Sequence, residues 1–67
     1  MSNAAKKMLA RAYLTGYVDS QQAITGQPKF FAAGGSLIGY FRKELNIIVT
    51  PEWANDVVRG FKNGLQS

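Results

Sequence analysis

From residue 50 to residue 65 the apolar side chains of this chain recur at the helical interval. Ala54, Val57, Val58, Phe61 and Leu65 stand at i, i+3, i+4, i+7 and i+11, which places them on one stripe of an α-helix. The start of that helix is equally clear. Thr50 offers a capping hydroxyl, Pro51 takes the position where an N–H would go unpaired, and Glu52 sits at the positive end of the helix dipole. Such a stripe has to be covered. The nearest cover is the preceding run, where Leu37, Ile38, Phe41, Leu45 and Ile48 keep helical spacing behind a Ser36 cap. The connection at 46–49 is short enough to force the two helices into contact.

A chain of 67 residues is one domain, and a domain of this size buries only about 60% of the surface its unfolded chain exposes. It contains neither cysteine nor histidine, so it has no disulfide framework and no common metal site, and no cofactor is expected. Self-association is the expected extra source of stability. With four phenylalanines, three tyrosines and one tryptophan, the composition is that of a folded chain rather than a disordered one. Its apolar runs fall far short of the roughly 20 residues a membrane-spanning helix requires, and no signal-peptide pattern opens the chain. A soluble, cytoplasmic protein with no membrane partner is expected. The formal net charge of +4 tolerates an acidic protein or a nucleic acid as partner without selecting either.

From Ala5 onward, Met8, Leu9, Ala12, Tyr13, Gly16 and Tyr17 fall on one helical face, with Lys7 and Arg11 turned away from it. A first helix over about 3–18 follows. Leu14 and Val18 then lie among the basic residues, on the side a monomer gives to water, and are expected to contact a partner. Residues 19–24 either prolong this helix to Gly26 or form a separate short turn. Gly26 and Pro28 break the pattern. Phe30 and Phe31 are costly to leave in water, so they should close the core or enter a neighbouring chain. Gly34 and Gly35 each weaken a helix by roughly 1 kcal/mol, which places a break before Ser36. The Gly35 to Gly39 spacing would permit one close helix crossing. The expected fold is a compact all-α bundle forming a single domain over 1–67. Its three main helices fall at about 3–18, 36–46 and 51–63, with an irregular Gly/Pro-containing connection between the first two.

Catalysis is not expected. Asp19, Glu44, Glu52 and Asp56 are the acidic residues, and of these Glu52 and Asp56 share a helix face, where carboxylates serve the dipole. The stretch 33–36 with Lys29 nearby lacks the Gly-Lys-Ser/Thr ending of a phosphate loop and is taken as a structural turn. The leading expectation is a non-enzymatic adaptor or inhibitor that binds a larger protein, itself homo-oligomeric. Its interface is assigned to Leu14, Val18, Phe30, Phe31 and Trp53, because tryptophan suits either a core rim or an interface centre. The alternative is a small basic DNA-binding regulator built on a helix-turn-helix-like pair at about 36–63. Its contacts would come from Lys6, Lys7, Arg11, Arg42, Lys43, Asn55, Arg59 and Lys62. Against it stand a connection longer and more apolar than that motif's turn, and Glu52 and Asp56, which would face phosphates.

Overall fold

The computed structural model describes residues 1–26 and 32–66, and over these the chain is all-α. Helix α1 spans Asn3–Thr25, α2 spans Ala33–Tyr40 and α3 spans Pro51–Gln66. A π-helical turn, Phe41–Leu45, continues α2 without interruption. No described helix is long and apolar enough to cross a membrane.

Local chemistry accounts for most of the boundaries. The Ser2 hydroxyl accepts from the Ala5 N–H at 3.1 Å and caps α1, a role not assigned to this residue from sequence. The helix then runs past Val18 to Thr25, because nothing breaks it before Gly26. Gly26 is left-handed, with φ 79°, and donates its N–H to the Gln22 carbonyl at 2.7 Å, closing the helix as glycine commonly does. Thr50 caps α3 as its position implies, its Oγ1 accepting from the Trp53 N–H at 3.1 Å. Asn46, left-handed with φ 54°, ends the π turn. The chain beyond it is no longer helical, so Ile48 turns outward at 78% exposure and Val49 turns into the core. This corrects the placement of Ile48 on the buried stripe.

The start of α2 also differs from expectation. Ala32, at φ 59°, precedes it without a side-chain cap, and the Ser36 N–H donates to the Ala32 carbonyl at 2.9 Å. Ser36 therefore lies inside the helix, as do Gly34 and Gly35, instead of opening it. A packing reason exists for the first glycine: a Cβ on Gly34 would run into the Asn55 side chain, which lies against it from α3. Gly35 and Gly39, whose spacing would permit a close helix crossing, face open space.

The core joins Ala10 of α1, Leu37 and Phe41 of the second segment, Val49 of the connection and Ala54 of α3. Leu14, Val18 and Ala33 are buried as well. The expectation that Leu14 and Val18 face a partner is thereby overturned, since Leu14 has no exposed surface and Val18 is 5% exposed. Ala10, Leu14 and Val18 follow one another at i+4 and form the inner ridge of α1. At 3.6 residues per turn, Tyr13 and Tyr17 flank that ridge by about 60° on one side, and Lys7 and Arg11 flank it by about 60° on the other. The true inward face is thus rotated toward the basic residues, while Met8 is 73% exposed.

Rings bind the three helices into a ladder. Tyr13 stacks on Tyr40 with centroids 4.6 Å apart, Tyr40 meets Phe41 at 5.6 Å, and Phe41 meets Trp53 at 5.6 Å with planes inclined by 51°. These separations lie in the favourable range for aromatic pairs. Phe30 and Phe31 lie outside the described residues.

Candidate functional site

The seam between α1 and α3 is where charge, aromatic surface and open space coincide. Lys7 and Arg11 occupy successive turns of α1 and are both exposed. With Asn3 they form one wall of a groove of about 240 Å³, and the other wall is Trp53, Asp56, Val57 and Gly60 of α3. Beyond Arg11 and Gly60 the groove continues between Thr15 on one side and Phe61 and Gly64 on the other. Asn3 stands by Trp53 at one end and Thr15 by Gly64 at the other, so the two helices run in the same direction. Twelve residues of helix separate Asn3 from Thr15, a length of about 18 Å.

Trp53 stands at the Asn3 end of the groove. Its Nε1–H donates to Asn3 Oδ1 at 3.0 Å, across fifty positions of sequence. The Lys6 ammonium lies 5.7 Å from the ring centroid, within the range of a cation–π attraction. Half-buried against Phe41, the indole is a rim element of the core that also lines the groove. On the α3 wall, Asp56 receives Arg59 Nη2 at 3.0 Å. That pair is 70% exposed on both sides and so adds little to stability, but it ties one basic residue to one acidic one. Lys7 and Arg11 have no such carboxylate partner among the described residues.

The remaining residues singled out from the sequence are dispersed. Lys43 lines a wide cleft of about 400 Å³ with Tyr13, Ser36, Gly39, Tyr40 and Glu44. Residues 11 and 13 differ by about 200° around α1, so this cleft opens on the other side of that helix from the groove. Arg42 is exposed on the π turn, Asn55 sits against Gly34 at the α2–α3 seam, and Lys62 is exposed on α3. The structure thus brings together Lys6, Lys7, Arg11 and Trp53, with Arg59 tied to the groove through Asp56, while Arg42, Lys43, Asn55 and Lys62 do not line that groove and Phe30 and Phe31 lie outside the described residues. Asn3, Val57 and Gly60 were not assigned to any site from sequence. Gly60 is the one for which a signal existed, as a residue that lets another chain approach closely. Comparison of the chain with protein-family models, with curated proteins and with solved structures finds no match.

Proposed function

We propose that this chain is a non-enzymatic interaction module, an adaptor or inhibitor, which recognises an acidic segment of a larger protein through the groove between α1 and α3. The observation that supports this is the placement of Lys7 and Arg11 on successive turns of one wall, both exposed and, among the described residues, neither in ion-pair contact with a carboxylate counter-charge. Carboxylates of a partner would supply that counter-charge, and the Trp53 edge, Val57 and Gly60 offer the apolar contact beside it. A groove with cations on one wall and apolar contact beside them can take up a peptide segment. A cytoplasmic setting fits a chain without cysteine.

A nucleic-acid partner is less well matched. Duplex recognition favours cations concentrated on one face, whereas here Asp56 and Arg59 neutralise one another and Lys43 opens on the other side of α1. Glu52 is exposed in the first turn of α3, where a reading helix would bring it towards phosphates.

Trp53 is the single tryptophan and lines the groove, so its emission reports occupancy. Titration with peptides of graded Asp and Glu content should shift that emission in proportion to acidity. Affinity should fall roughly tenfold or more when Lys7 and Arg11 are changed to Glu. Tight binding of duplex DNA with a steep salt dependence, alongside indifference to acidic peptides, would overturn the proposal in favour of a DNA-binding regulator.

A further inference from the structure

The groove between α1 and α3 repeats once per helical turn on both of its walls. Asn3, Lys7, Arg11 and Thr15 follow one another at i+4 on the first wall, and Trp53, Val57 and Phe61 do so on the second, so each wall steps by about 6 Å. The first wall is polar and carries two exposed cations that have no ion-pair partner among the described residues. The second is apolar: Trp53, Val57 and Phe61 are half-buried, and Asp56 beside them is held by Arg59. We infer that the acidic segment enters this groove as an amphipathic α-helix, with carboxylates on successive turns against Lys7 and Arg11 and apolar side chains against Trp53, Val57 and Phe61. The inference rests on the groove as the binding site and adds the conformation, residue pattern and direction of what it captures.

Backbone chemistry selects a helix over an extended segment. Both walls are helices, whose N–H and C=O groups are bonded within themselves, so the groove offers no strand edge along which an extended chain could pair. A helix satisfies its own backbone and presents side chains alone. Its period fits as well. Residues four apart share a face, so an acidic row and an adjacent apolar row stay level with the two walls along the groove's length of about 18 Å, roughly three turns. Direction follows from electrostatics. Because α1 and α3 run the same way, both positive dipole ends lie at the Asn3 end, beside Lys6 and Lys7. Glu52 in the first turn of α3 opposes them, and the first turn of α1 holds no acidic residue. The incoming helix is therefore antiparallel to both, with its negative C-terminal end towards Asn3.

Three tryptophan-free peptides test this through the emission of Trp53. The first carries Glu at i and i+4 beside a stripe of Leu, the second has the same residues shuffled so that the rows are lost, and the third is the first with a proline at its centre. The first should bind roughly tenfold or more tightly than either of the others, since the proline alone costs a helix more than a tenfold change in affinity. A nitroxide at the C-terminal end of the first peptide should broaden the Asn3 amide and Trp53 indole signals, and one at its N-terminal end those of Thr15 and Gly64. Equal affinity for either control would overturn the helical mode while leaving the capture of acidic segments standing. Failure of all three to bind would overturn the proposed function along with it. A reversed pattern of broadening, or one that is the same for both labels, would overturn the docking geometry.

Discussion

Leu14 is wholly inside the fold while Arg11 and Thr15, its neighbours along and around α1, are exposed and line the groove. At this residue the core and the candidate site are separated by a fraction of a helical turn. Truncating a fully buried leucine removes its transfer energy and leaves a cavity, so Leu14→Ala should lower unfolding stability by about 2–5 kcal/mol. In a domain this small that is a large share of the total. Urea denaturation measures it, and a change under about 0.5 kcal/mol, the usual effect of a surface substitution, would contradict the burial. Leu14→Asp therefore reports folding and not partner binding. Trp53 does two jobs as well, as rim of the core and as wall of the groove, which makes it a better spectroscopic reporter than a target for mutation.

Among the elements, α3 depends most visibly on its own first turn. The Thr50 hydroxyl satisfies the Trp53 N–H, and the same residue's indole anchors Asn3 at the start of α1. The cap thus holds the end of α3 that meets α1. Thr50→Ala should cost about 1 kcal/mol and Thr50→Ser much less; thermal melts of the two variants side by side check this, and equal melting temperatures would contradict it. How much of each element could be read from the sequence follows from how its apolar residues are distributed. In α3 they form one stripe behind an unambiguous Thr50-Pro51 start, so the helix and its inner face were both legible. In α1, apolar residues surround the helix, and Met8-Leu9 competes with Ala10-Leu14-Val18 for the inward side. The basic residues were read as marking the solvent face, but long cationic side chains reach water from the edge of a buried ridge. The ridge could then lie beside them. The early start of α2 was hidden for a different reason. Its two glycines count against a helix by propensity, yet Gly34 is what allows Asn55 to sit where it does. Contacts of that kind, like the ring ladder from Tyr13 to Trp53 or the bond from Trp53 to Asn3, join distant positions that no local pattern connects.

At the scale of the whole molecule, the fold consumes much of the apolar surface that had argued for a partner. Leu14, Val18 and Phe41 are spent on the core, and Met1, Met8, Ile24 and Ile48 are the large apolar side chains left exposed among the described residues. What remains organised on the outside is charge: Lys7 and Arg11 form a basic row on α1, facing α3 across a groove. This groove is the proposed place where the protein engages its partners. Nuclear magnetic resonance of the ¹⁵N-labelled protein during titration with an acidic peptide tests it most directly, since the single indole N–H and the Gly60 amide give isolated signals within the site. The predicted result is a set of shifts concentrated at Lys7, Arg11, Gly60 and the Trp53 indole. Shifts centred instead on Tyr13, Tyr40, Lys43 and Glu44, on the other side of α1, would contradict it.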